Sequence, residues 1–214
     1  MEKETEDKAK LKRETVQLLR LRRLIDVVYA VVLWNVFVMI PEPDTGEWVW
    51  DTVSSFLSAN ILTLALVAIA LAITIIFWLQ NNTLFNNLDR TDGRHTALSI
   101  LQIFFMLLFL HSIRLGIDLG ASDGTRAFES SMAALMGITA AWGWSYAVKK
   151  RRLVSPDVTE QYARRLKDRT LAEPITAIIT LPLAFVGPVL WEIAWLSYPL
   201  VVFLVRHWRR AKMA

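Results

Sequence analysis

A chain of 214 residues that is 54% hydrophobic, with 24 Lys and Arg against 20 Asp and Glu, is too apolar for a soluble domain of its size. Its charges come in blocks between apolar runs of about 20 residues, the pattern of a polytopic membrane protein with basic loops. The net charge of +4 therefore describes loop sorting and gives no ground for nucleic-acid binding, and the lack of cysteine excludes disulfides, thiolate metal sites and cysteine nucleophiles.

Residues 1–19 mix charges with Leu11, Val16, Leu18 and Leu19, which predicts a cytoplasmic segment running as an amphipathic helix into the first span. The other reading of this stretch is a solvated tail. It lacks the apolar core and small-residue cleavage site of a signal peptide. The six-helix transmembrane domain is expected over 20–207, with a cytoplasmic tail at 208–214.

The first span is expected at about 20–40 and closes at Pro41, Pro43 and Gly46, in a loop with acids and no Lys or Arg. Trp48 and Trp50 suit the headgroup region. The second span, about 52–80, ends in a polar loop with Arg90 and Arg94, and the third covers about 95–114. The fourth, about 127–148, is rich in small residues from Ala133 to Gly143, which lets helix backbones approach closely and predicts a place inside the bundle.

The basic run at 149–169 and the tail of Arg206, Arg209, Arg210 and Lys212 both belong on the cytoplasmic side. Residues between them must then cross twice, as spans at about 171–187 and 189–206 that turn near Gly187 and Pro188. That makes an all-α integral membrane protein with both termini cytoplasmic.

Polar residues inside apolar spans are costly and mark candidate functional sites. The first span keeps Asp26 near its start and Asn35 deep within it. Asp26 could pair along the helix with Arg22 or Arg23, while Arg20 lies on a different face.

The opening of this span, Arg20-Leu-Arg-Arg-Leu24-Ile25-Asp26, resembles the R-x-x-x-F-S-D motif of the transmembrane-protein-175 family of potassium channels, with Leu24 and Ile25 replacing Phe and Ser. The stretch FWLQNNTLF at 77–85 is similar to the family's segment at that place, with Asn81 and Asn82 where histidines are usual. Residues 144–154 and 173–191 resemble the exit of its fourth span and its Pro-rich fifth span and turn.

The resemblance implies a homotetramer in the plasma membrane whose first helices line a central pore for potassium or other monovalent cations. The constrictions would be rings of side chains, and nothing like a TVGYG carbonyl filter occurs here. Counted from the aspartate, the pore layers fall on Val31, Asn35 and Val38. The family's middle layer is usually leucine, so a ring of Asn35 implies a wider or less potassium-selective pore. Alternatively, Asn35 hydrogen-bonds a neighbouring helix.

At the cytoplasmic end the resemblance implies a polar network of Arg20, Asp26, Asn81 and Asn82, whose amides could not sense protons as histidines do. Glu42, Asp44, Glu47, Asp51, Asp118, Asp123, Glu129 and Glu192 map to the outer side against Arg114 and Arg126. They either concentrate cations at the mouth or reflect positive-inside sorting. His95 and His207 fall in cytoplasmic flanks and His111 near the outer interface. No metal-spaced cluster, phosphate loop or nucleophile elbow occurs, so neither a cofactor nor an enzyme is expected. Two rival readings are a secondary transporter and a non-conducting membrane interaction protein.

Overall fold

Helix α1 (Glu2–Val38) runs for 37 residues without interruption. At 1.5 Å per residue it is about 55 Å long, so the charged N-terminal segment and the first apolar run form one rod. The computed structural model describes residues 2–42, 49–120 and 122–211. The remaining helices are α2 (Trp50–Asn86), α3 (Gly93–Leu119), α4 (Asp123–Val148), α5 (Glu160–Leu183), α6 (Pro188–Trp195) and α7 (Tyr198–Ala211). A 3₁₀ turn at Lys149–Arg151 follows α4.

Local chemistry sets several boundaries. Asp92 caps α3 by accepting from the His95 N–H, and Ser122 with Thr125 forms a reciprocal capping box at α4. Thr159 starts α5 by accepting from the Tyr162 N–H. Pro188 opens α6, where its missing N–H and fixed φ suit the first helical turn. Among the described residues there is no strand. An antiparallel bridge between Leu88 and Val154 fastens the α2–α3 loop to the loop after α4.

Helix α4 is the centre of the bundle, packed between α3 and α5. The small residues noted in the sequence are what allow this: Ala133, Ala134, Gly137, Ala140, Ala141 and Gly143 are all buried. A Cβ built on Gly137 would lie 2.7 Å from Cδ of Pro174, so α4 and α5 touch backbone to ring there. Trp144 is buried beside this seam and donates its Nε1 proton to the Ala163 carbonyl at 3.0 Å. Helix α1 packs on α2 and reaches α3, while α6 and α7 lie against α5.

Residues 51–86 and 93–116 are each long and apolar enough to cross a membrane unaided. The pair α6 and α7 makes a third such segment when counted as one. The continuous leg expected over 189–206 is instead two helices bent by 47°. Pro199 has no N–H to give to the Trp195 carbonyl, so the chain turns at Leu196 and Ser197 and restarts at Tyr198. The turn expected near Gly187 and Pro188 is present between α5 and α6. The basic run expected as a loop at 149–169 becomes helix again from Glu160.

Candidate functional site

Helix α1 has two unlike faces. Leu18, Leu21, Ile25, Tyr29, Val32 and Val36 repeat at three- and four-residue steps and are buried against the bundle. On the opposite side Val31 is 53% exposed and Val38 60% exposed, and Asn35 is exposed between them. The three residues expected to line a pore thus share the outward face of the chain, together with Leu24, Val27 and Trp34. Among the described residues, Asn35 has no hydrogen bond to another helix. Its Nδ2 donates to the Val31 carbonyl one turn back, at 2.9 Å.

Polar side chains of α1 hydrogen-bond to α2, Asp26 from an exposed position and Tyr29 from a buried one. Asp26 accepts from Trp78 Nε1 on α2 at 3.1 Å. Arg22 lies close enough to feel the charge of Asp26, and its guanidinium donates to the carbonyls of Phe85 and Leu88 at the C-terminal end of α2. Asn81 donates to the Tyr29 hydroxyl at 2.5 Å and accepts from the half-buried Gln102 Nε2 at 3.1 Å, joining α1, α2 and α3. Arg20 is exposed and Asn82 half-buried, and among the described residues neither is hydrogen-bonded to this network.

Tyr29, Trp78 and Gln102 are therefore partners that motif matching passes over. Their signal is available in the sequence: a polar-tipped side chain inside an apolar run needs a hydrogen-bond partner when buried.

A second cluster closes the basic end of the bundle. The Tyr146 hydroxyl donates to Asp92 Oδ2 at 2.6 Å, and Arg152 donates to that hydroxyl at 2.7 Å. Arg90 donates to the Arg152 carbonyl and faces Glu14 at 3.7 Å, and Gln17 donates to Thr96 Oγ1 at 3.0 Å. Glu14 and Gln17 lie on α1, so these contacts fasten its N-terminal half to the α2–α3 loop. Asp92 feels opposing influences. Burial pushes its carboxyl up, yet the His95 N–H, the Tyr146 hydroxyl and the charges of His95 and Arg152 together hold it below the usual value.

His95 is more than a flanking residue. It is buried, with Nδ1 2.9 Å from Thr91 Oγ1 and its ring edge-on to Phe85. His111 and His207 are exposed. Of the acids assigned to the opposite end, Glu42, Asp51, Asp123 and Glu192 are exposed and Glu129 is half-buried. Asp44, Glu47 and the side chain of Asp118 lie outside the described residues. Arg126 is buried, pairs with Asp123 and donates Nε to the Ala184 carbonyl at 3.2 Å, so its charge is tied up in joining α4 to the end of α5. Among the described residues, no group of three or more His, Asp or Glu is placed to hold a metal ion.

No protein-family model matches the sequence, and no curated protein matches it. Among solved structures, the backbone superimposes on that of an ion channel. That protein is a variant of the potassium channel MtTMEM175, solved with a nanobody–MBP fusion; the TM-score is 0.65 at 13% identity, covering 90% of this chain and 93% of the other. The chain has the fold of that channel, and the resemblance seen in the first-span motif is borne out at the level of fold.

Proposed function

We propose that this chain is a TMEM175-type channel subunit that passes potassium or other monovalent cations, with six membrane crossings and both termini cytoplasmic. Four copies surround an axis, and the exposed face of α1 supplies the lining. What carries this reading is the position of Val31, Asn35 and Val38 on the free side of a helix whose other side is buried, in a chain with a potassium-channel fold. The crossings beyond the apolar ones follow from charge: Arg90, Arg94 and the run Lys149–Arg152 gather at the end that also carries the N-terminus.

The local bond of Asn35 favours the lining role. Its Nδ2 proton goes to the Val31 carbonyl, which leaves the amide oxygen with its lone pairs free. Four such oxygens between rings of Val31 and Val38 replace part of an ion's water shell and lower the barrier that an all-apolar ring imposes by dewetting.

Potassium flux into vesicles containing the purified protein tests conduction, and Asn35→Leu tests the lining. The variant is expected to cut flux severalfold and raise potassium preference. Unchanged conductance and selectivity would take Asn35 out of the pore, and absent wild-type flux would favour a non-conducting relative. The assembly should weigh four times the 24.5 kDa chain, after allowing for detergent.

A further inference from the structure

The exposed face of α1 continues past the apolar run toward the N-terminus. An α-helix completes five turns in about eighteen residues, so side chains that far apart on an unbroken helix point the same way. Arg13 lies eighteen positions before Val31 and Arg20 eighteen before Val38, and α1 is continuous across both pairs. Both arginines are exposed. Whatever Val31 and Val38 face, Arg13 and Arg20 face it about 27 Å nearer the charged end of the rod.

Several other arginines at this end are committed to partners. Arg22 donates to carbonyls at the end of α2, Arg90 reaches Glu14 and the Arg152 carbonyl, and Arg152 meets the Tyr146 hydroxyl. Arg23 has Asp26 three residues further on. Arg13 and Arg20 have no such offset. The positions three and four residues from Arg20 are Val16, Gln17, Arg23 and Leu24, and none is acidic. Those around Arg13 are Ala9, Lys10, Val16 and Gln17, again without an acid. Among the described residues neither arginine makes a hydrogen bond or an ion pair.

We propose that Arg20, with Arg13 behind it, forms a positively charged collar at the cytoplasmic mouth of the conduit and makes cation passage directional. This rests on the reading of α1 as the lining. With four copies around an axis, each of the two positions adds four guanidinium groups where cations enter from the cytoplasm. A positive mouth thins out the cations waiting there and leaves those waiting at the other end unchanged. Current leaving the cytoplasm is therefore the smaller of the two directions when potassium is equal on both sides. Salt weakens the effect, because the screening length falls from about 10 Å at 0.1 M to about 3 Å at 1 M.

Single-channel currents through the full chain in inside-out membrane patches test it, because there the cytoplasmic face is known. In symmetric potassium chloride at about 0.1 M, inward current is expected to exceed outward current by about twofold or more at equal and opposite voltages. The ratio should approach unity at about 1 M. Arg20→Gln should bring it near unity at the lower salt, Arg20→Lys should keep it, and Arg20→Glu should reverse it. Arg13→Gln should lower it part of the way. Arg94→Gln, which removes an exposed arginine from the start of α3, should leave it as in the wild type. Rectification that survives Arg20→Glu, or that Arg94→Gln removes equally, overturns the proposal. A symmetric wild-type current whose conductance changes in Asn35→Leu rejects the collar and keeps the lining, whereas no wild-type current rejects both.

Discussion

Gly137 and Pro174 meet with no room for a methyl group between them: a Cβ on the glycine would fall 2.7 Å from the proline Cδ and 2.9 Å from its nitrogen. The contact involves a rigid ring and main chain, so neither side can yield by rotating a side chain. Gly137→Ala is expected to destabilise by about 1–3 kcal/mol through forced separation of α4 and α5. Gly116 in α3 has open space around it and is the control, since alanine there is expected to be neutral or stabilising. Thermal midpoints of the two variants check the contrast.

The Tyr29–Asn81–Gln102 chain predicts a ranked pair of effects. Asn81→Leu strands both the Tyr29 hydroxyl and the Gln102 amide, at a cost of about 1–3 kcal/mol for each buried group left unmade. Tyr29→Phe removes one bond and leaves the Asn81–Gln102 bond in place, so the loss is about 1 kcal/mol. Equal losses for the two variants would mean that Asn81 does not bridge three helices.

Asp92 gives the protein an acid-sensitive element at its basic end. Its carboxyl is held below its unfolded value of about 3.9, so its stabilising contribution is present above that pH and disappears as pH falls through the lower folded value. Asp92→Asn should flatten the fall in thermal midpoint below pH 4 and leave the neutral-pH midpoint slightly lower. A variant that keeps the full wild-type acid dependence would assign it elsewhere.

Lys150 and Arg151 both take left-handed backbone conformations, with φ of 57° and 51°. Arg151 holds its place by donating to the carbonyls of Ser155, Pro156 and Val158, whereas Lys150 is exposed. Lys150→Gly removes the steric cost of a side chain there and is expected to stabilise by up to about 1 kcal/mol. Lys150→Val, branched at Cβ, should move the midpoint the other way.

The apolar periodicity carries far in this chain, and its failures have physical causes. The burial of α4 follows from residue size alone, because Ala133 to Gly143 offer little else to pack than backbone. The turn at Gly187 and Pro188 is legible for the reason that Pro188 must start a helix. The break after Trp195 is signalled by Pro199, but a proline can also kink a helix that continues, so only the fold separates the two outcomes. The exposed position of Asn35 is compatible with the 31/35/38 spacing, yet any amphipathic helix shares that spacing, and the buried 29/32/36 set decides the side. Arg22 illustrates the limit of local pairing rules. Asp26 lies one turn away, yet the Arg22 guanidinium donates to the Phe85 and Leu88 carbonyls at the end of α2, partners more than sixty positions along the chain.

Because α1 is unbroken from Glu2 to Val38, the angular phase of every side chain along it is locked to every other at about 100° per residue. Glu14 and Gln17, tethered to Arg90 and Thr96, therefore act as the setting of a combination dial. A rotation forced on the rod at that end would reappear undiminished, some 30 Å away, as a change in which residue of the far turn faces outward from the bundle.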